Sequence, residues 1–555
     1  MKLKNIQRYR TAWIALFLIF CAVLATYPSF LNSYFKITMD GQIHLVRFEE
    51  IARAFKSGTF PSLVNFMGFD HWGNAFTGMY PWISGLVFII PQMIFSNPIY
   101  AIMLGYFFVN LFTLINAYLL TRELTEKLCW RLLGVILYQY NTYHLCILYG
   151  RDALGEALAY MFLPLVFLGC FQIWKNKKTG ILTLGLGMGM IINAHLITMA
   201  YSCFFLGIIE VVRFFQKKIT LKEIVRFIFA AVTAGLISCF SLINVVVLMR
   251  SNKLITPGKG LLPIIPSEMF DSMLNNNISD NFPSSWNIGI ILFGILLFLT
   301  FQLFTKKTGS WKSWVLGSWI VFISTFSWIP YSDRIICGRF GNIQFLGRLD
   351  TWVIVFLIIG AILYLNDYDQ TISKKTTFSV ITIFMLVTCI FGCVKYQKIK
   401  NDNPIRYYIT QKNYFDTINN NGNSHTDYGI VKKRDFVFNR EFLDKVPQSF
   451  KVTETRPNSL TLTFNSNNNN KVSLPFMLYN GVNYRIEVNG KNVNNFNSDQ
   501  IVKVRPAIGK NIVTISASAN TVNKFTFALS IISISVVIVL LVSDFIKSRR
   551  KSRFL

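Results

Sequence analysis

The sequence predicts an α-helical polytopic membrane protein with a small external β domain near its C-terminus. Three observations predict it. Hydrophobic residues make up 52% of the 555 positions and charged ones only 15%, a balance too apolar for a soluble chain of this length. Twelve apolar runs are long enough to cross a hydrocarbon core of roughly 30 Å. A polar, Asn-rich stretch at 397–522 interrupts them, and parts of it alternate apolar and polar residues with the period of a strand.

The runs lie at 11–31, 98–120, 130–148, 155–173, 179–196, 197–215, 224–248, 286–304, 312–329, 350–366, 376–395 and 523–545. The first follows a basic start, Met1 to Arg10, that resembles a signal-peptide n-region, yet it is long enough to span and has no small-residue cleavage site. It reads as an uncleaved helix. Lys2, Lys4, Arg8 and Arg10 at one end, and Lys547, Arg549, Arg550, Lys551 and Arg553 at the other, place both termini in the cytoplasm and require an even number of spans. Tyr80–Phe95 is apolar but broken by Pro81 and Pro91. It is therefore assigned to the first external loop, 32–97, as a partly embedded segment. The basic groups near Arg122, Lys175, Arg213, Lys306 and Lys374 then all fall on the cytoplasmic side. Outside lie 32–97, 149–154, the turn near His195, 249–285 and 330–349.

Three parts follow: a transmembrane domain at 1–396, a β-rich domain at 397–522, and a last helix with a basic tail at 523–555. In the middle part, Ser459–Phe464, Tyr484–Val488 and Asn511–Ile515 read as strands, Gly490-Lys491 and Gly509-Lys510 as turns, and Asn467–Asn470 as a loop. The net charge of +28 is spread over short clusters between apolar runs, which is a membrane-topology pattern and argues against nucleic-acid binding. Eight of the nine cysteines lie in or near apolar runs and the ninth, Cys337, in an external loop. Neither a disulfide framework nor a zinc spacing results, and Cys389 and Cys393 read as small apolar filler on one helix face.

The candidate chemistry gathers on the external side. Asp40, His44 and Arg47 stand at i, i+4 and i+7, one face of a helix following the first span. A carboxylate there can serve as general base or metal ligand, an imidazole can share the proton or the metal, and a guanidinium can hold a phosphate. Asp40 also suits a helix cap. Arg151 with Glu156, His195 and Arg348 are further polar residues at expected outer helix ends, where ionisable groups mark either function or helix pairing. Asp70-His71 is a second acid–imidazole pair in the first loop.

The ordered set Asp40-Gly-Gln-Ile-His44-Leu-Val-Arg47, Gly58-Thr-Phe-Pro61, Tyr80-Pro81, Tyr149-Gly-Arg151 with Glu156 and Pro164, Asn193-Ala-His195, Gln344-Phe-Leu-Gly-Arg348 and Tyr479-Asn-Gly481 to Gly490-Lys491 resembles the YfhO-like group of bacterial GT-C type membrane glycosyltransferases. The resemblance implies a GT-C like fold in the bacterial cytoplasmic membrane and transfer of a sugar from a polyprenyl-phosphate carrier to an extracytoplasmic acceptor such as teichoic acid or a surface polysaccharide. It implies that Asp40 matches the catalytic carboxylate. His44 joins it as a catalytic candidate, and Arg47, Arg151, Glu156, His195, Gln344 and Arg348 form the substrate- and phosphate-binding set. Gln344 to Arg348 departs from a Gln-Phe-Pro-aromatic-Arg pattern by lacking the proline and the aromatic residue. Asp40 and His44 supply two donors toward a divalent metal, which is weak ligand spacing. A lipid-linked saccharide flippase and an envelope assembly factor are the alternatives. A flippase carries polar, discontinuous helices and internal repeats, and no clear repeat is found here.

Overall fold

The structure, a computed structural model, describes residues 2–31, 34–37, 39–279, 283–332, 335, 338–368, 373–398, 407–420, 427–430, 450–493 and 500–551. Cys337 and Arg553 lie outside the described residues. Among the described residues, eight helices are long and apolar enough to cross a membrane: Tyr9–Phe30, Pro98–Leu124, Leu154–Trp174, Leu196–Phe215, Leu221–Ser251, Leu346–Asp367, Lys374–Lys398 and Thr521–Lys547. Each overlaps one of the expected runs.

The other four runs form shorter helices, and local sequence explains why. The run at 130–148 ends its first helix, Leu128–Gln139, at Asn141, whose Oδ1 accepts the His144 N–H at 2.8 Å and starts a new turn. A π-turn, Cys146–Gly150, follows it. Thr179–Ile192 stops at Asn193. Ile290–Leu303 starts four residues into its run, because Gly289 takes φ 88° and donates to Asn287 Oδ1 at 3.0 Å. Trp311–Ser324 ends where Ile264 N donates to Thr325 O at 2.8 Å. At 1.5 Å per residue, helices of 12 or 14 residues reach roughly 18–21 Å, short of the hydrocarbon thickness.

The segment broken by prolines folds as a 3-10 turn, Ile83–Gly85, and a short helix, Leu86–Ile94, with Pro91 inside it. It docks on Pro98–Leu124 through Phe88, and a Cβ at Gly105 would sit 2.1 Å from the Phe88 ring. Only glycine admits that approach. The rest of the first loop is pinned to the Met39–Lys56 helix, where Glu50 accepts Phe66 N–H and Asn65 Nδ2–H at 2.7 Å each.

Basic residues and buried polar groups sit at opposite ends of the same helices. Leu154–Trp174 begins at Glu156 and ends where Lys175 meets Glu123 at 3.0 Å, and 21 residues at 1.5 Å separate these ends by roughly 30 Å. At the second end Lys127 Nζ donates to Asn366 O at 2.8 Å and Arg122 covers the Phe545 ring at 5.0 Å.

Two small pairings tie distant segments together beside the polar end. Strand β1 (Phe35–Ile37) pairs with Tyr407–Ile409, and β2 (Leu261–Leu262) runs parallel to β3 (Gln344–Phe345). With Tyr407–Ile409 as β4, the C-terminal part adds β5 (Lys451–Arg456), β6 (Ser459–Ser466), β7 (Val472–Met477), β8 (Asn483–Val488), β9 (Lys491–Asn492), β10 (Ile501–Val504) and β11 (Gly509–Ser518). The five-stranded sheet has the order β5-β6-β11-β8-β9, and β10 pairs with β7. Leu460, Leu462 and Phe464 alternate inward on β6 and meet Val513 and Ile515, the period of a half-buried strand.

Asn489 at φ 51° and Gly490 at φ 78° make the β8–β9 hairpin turn. Gly509 is not in a turn as expected. It opens β11 opposite Ser466, and the turn precedes it, because the Asn511 amide binds Ala507 N–H and O and Gly509 O. The sheet shares a core with Leu63, Phe66 and Leu248, so it rests on the first loop and on Leu221–Ser251. Met477 N also donates to Trp72 O at 2.8 Å.

Candidate functional site

Asp40 lies in the first turn of Met39–Lys56, directly after β1. A Cβ at Gly41 would stand 2.6 Å from Asp152 Cβ. The glycine therefore lets this turn press against the end of the π-turn, where Arg151 emerges. Asp40 Oδ2 is 3.7 Å from Arg151 Nη2, and the Asp40 side chain remains 47% exposed while that of Arg151 is 3% exposed.

Arg151 and Arg348 converge on one carboxylate. Glu156, in the first turn of Leu154–Trp174, lies 3.1 Å from Arg151 Nη1 and 3.5 Å from Arg348 Nε, and accepts the Tyr143 hydroxyl at 2.5 Å. The Arg151 guanidinium stacks on Trp286 at 4.1 Å. Burial works against its charge, but Glu156 and Asp40 outweigh burial and hold its pKa above the ordinary arginine value. Arg348 comes from the 3-10 turn Leu346–Leu349 and donates to Ile343 O at 2.9 Å and Gln344 Oε1 at 3.1 Å. Gln344, at φ 64°, donates in turn to Gly258 O at 2.8 Å. Its amide bridges the β2 segment and Arg348.

His195 caps Leu196–Phe215, with Nδ1 at 2.8 Å from Thr198 Oγ1, and burial first, then Arg348 and Arg151, push its pKa down to about 4. His44 is held well below its usual value by burial, Arg47 and His195. Both rings are neutral near pH 7. Tyr80 lies between them, stacked on His195 at 6.1 Å and edge-on to His44 at 5.0 Å.

These side chains enclose a cavity of about 290 Å³, near the lower end of the roughly 300–1,000 Å³ of ligand sites. Asp40, His44, Arg151, Glu156, His195, Gln344 and Arg348 all line it. Arg47 does not. It is 1% exposed, donates to Tyr80 O at 2.8 Å and meets His44 Nδ1 at 3.2 Å, so it braces the wall from behind instead of offering a phosphate contact. A guanidinium only donates, so His44 Nδ1 accepts from Arg47, while Nε2 faces the Gly155 N–H at 3.4 Å.

Asp70 and His71 lie away from the cavity; His71 Nδ1 donates to Phe66 O at 2.8 Å. Among the described residues no group of three or more His, Cys, Asp or Glu could hold a metal ion. Asp40 and His44 thus have no third protein ligand there, and His44 Nδ1 is taken by Arg47.

Sequence reasoning missed Tyr143 and Trp286, which hold the charged pair, and Asp427 and Tyr428, which line the cavity from the polar C-terminal stretch. Tyr428 N donates to Ile255 O at 2.9 Å and Ile255 N to Gly429 O at 2.7 Å. Burial and the nearby Asp40 charge raise the Asp427 carboxyl above its ordinary value. No spacing signal links residues this far apart.

A family model described as "Bacterial membrane protein YfhO" matches residues 82–414. The chain belongs to the YfhO family. No curated protein matches it. The part matched to YfhO holds Arg151, Glu156, His195, Gln344 and Arg348, whereas Asp40, His44 and Asp427 reach the same cavity from outside the matched stretch.

Chemically, the YfhO-family cavity offers the carboxylates of Asp40 and Asp427 beside two guanidinium groups paired with Glu156, with two neutral imidazoles and a tyrosine ring on its walls. Such a set can bind an anion through planar forks and accept a proton close by.

Proposed function

We propose that this YfhO-family protein is a GT-C type glycosyltransferase, which moves a sugar from a polyprenyl-phosphate carrier to an extracytoplasmic polymer such as teichoic acid or a surface polysaccharide. It works in the bacterial cytoplasmic membrane with both termini inside and the cavity facing out. The observation that carries the reading is the placement of Asp40 3.7 Å from Arg151 in a cavity that Arg348 also lines.

In the reaction, an acceptor hydroxyl oxygen attacks the anomeric carbon as the bond from that carbon to the phosphate oxygen breaks. Asp40 takes the hydroxyl proton, and the electron pair leaves with polyprenyl phosphate. Arg151 and Arg348 bind the phosphate oxygens and stabilise the charge that develops on them. Glu156 and Gln344 hold the two guanidiniums in place, and Tyr80 offers its ring face to the sugar. The location of the basic helix ends at the other end of the bundle supports an external cavity by the positive-inside rule.

The test is transfer of radiolabelled sugar from a panel of undecaprenyl-phosphate sugars to cell-wall polymer, in membranes carrying the native chain or Asp40→Asn at matched expression. Loss of label in the variant alone supports the reading. Label that persists in Asp40→Asn overturns the assignment of the base, and an absence of label with both chains while lipid-linked sugar still crosses the bilayer favours a flippase.

A further inference from the structure

A second polar recess lies at the far end of the C-terminal sheet from the membrane. Strand β11 runs from Gly509 to Ser518 and leads into the Thr521–Lys551 helix. Ten residues at about 3.3 Å each set Gly509 roughly 30 Å from that helix. At this end β6 finishes opposite Gly509, and the β8–β9 turn comes alongside. Between them is an open groove of about 920 Å³.

Lys471, Lys491 and Arg505 line it together with Asn469, Asn470 and Asn489 beside apolar residues such as Val488 and Ile508, and among the described residues no carboxylate does. None of the three cations has an ion-pair partner among the described residues; Glu487 on β8 is engaged by Arg485 at 2.6 Å. The turns beside Lys491 and Arg505 are fixed. The fully buried Asn511 accepts Ala507 N–H and Asn489 Nδ2–H at 2.9 Å each, and donates to Ala507 O at 2.8 Å. Asn489 Oδ1 accepts Ile512 N–H at 2.8 Å.

The geometry points to this groove as a binding site for a phosphodiester-linked polyol chain. Arg505 offers a planar fork to phosphate oxygens, the two lysines offer point charges, and the asparagine amides match hydroxyls, which both donate and accept. At about 920 Å³ the groove has room for a segment of a polymer. Its purpose rests on the glycosyltransferase reading, in which it would hold the acceptor chain; the binding itself does not.

The test uses the full chain in nanodiscs of phosphatidylcholine, with a fluorescent poly(glycerol phosphate) oligomer followed by anisotropy. The triple variant K471Q/K491Q/R505Q is expected to bind about tenfold more weakly or worse, while K471R/K491R and Asp40→Asn bind as the native chain does. Binding should weaken as salt rises. Native affinity in the neutralised triple variant, or displacement by uncharged dextran or by a carboxylate glycan at equal concentration, overturns the proposal. Because Asp40→Asn tests transfer and the groove variant tests binding, either reading can fail alone.

Discussion

Glu156 is the keystone of the charged cluster, and replacing it by glutamine tests that directly. In the native chain its side chain is 6% exposed and faces Arg151, 3% exposed, at 3.1 Å and Arg348, 10% exposed, at 3.5 Å. Glutamine keeps the size and an acceptor for Tyr143, but takes away the charge that faces both guanidiniums, and Asp40 stands 3.7 Å from Arg151. Removing one partner of a buried pair typically costs about 3–5 kcal/mol, because the remaining charge stays desolvated. Because Glu156 and Arg151 are buried and Arg348 nearly so, solvent screening reduces that figure little. The cost should be smaller in E156Q/R348Q, where one of the two cations that Glu156 held is removed with it and Arg151 alone keeps the loss. Unfolding of the purified protein in mixed micelles, titrated with denaturing detergent, measures the four corners of the cycle, and a coupling above about 1 kcal/mol is expected for residues in contact. Additive losses, or E156Q as stable as the native chain, would refute a network in which Glu156 holds both arginines.

The other expectations concern the roles of single side chains. Asp40→Asn should reduce sugar transfer by about 10²- to 10⁴-fold and change stability by less than about 1 kcal/mol, since the carboxylate is half exposed; transfer and detergent unfolding on one preparation check both. Arg151→Lys and Arg348→Lys should raise the KM for the lipid-linked donor at least about tenfold by losing the planar fork, whereas Arg47→Met should mainly lower stability; an equal KM effect at Arg47 would return it to the binding set. His195 sets an acid limit. Its folded pKa of about 4 lies below the unfolded value of roughly 6.5, so the unfolded chain binds more protons between these values. Stability from this group is complete above about pH 6.5 and is lost as pH falls toward 4, by up to about 3 kcal/mol; His195→Gln should flatten that slope in unfolding measured from pH 4 to 8.

The spans were legible because hydropathy over twenty residues reports burial in lipid regardless of what each helix touches. What hydropathy does not carry is a break whose cause is one polar side chain. Asn141 restarts a turn inside an apolar run, and Asn287 with Gly289 delays a helix start, so runs that look continuous fold as short helices. Strands β6, β8 and β11 were legible from alternation, while the turn at Gly509 was misplaced because Asn511, two residues into the strand, holds the preceding loop.

The site was legible for a different reason. Arg151, Glu156, His195 and Arg348 are polar residues at the ends of apolar runs, and topology alone brings helix ends of one polarity to one face. Position on a face does not determine direction, however. Periodicity placed Arg47 with Asp40 and His44 on one face of the helix, but Arg47 is buried against the Tyr80 carbonyl and never reaches the cavity. Asp427 shows the converse, since it arrives through a backbone ladder between Tyr428, Gly429 and Ile255 that no local pattern encodes. The consequence is that the cavity is assembled from three sources: helix ends inside the matched YfhO region, the Met39–Lys56 helix before it, and the Asp427–Ile430 strip after it. A truncation that removes either flank would leave the Arg151–Glu156–Arg348 cluster in the matched region, but remove a carboxylate from the cavity wall.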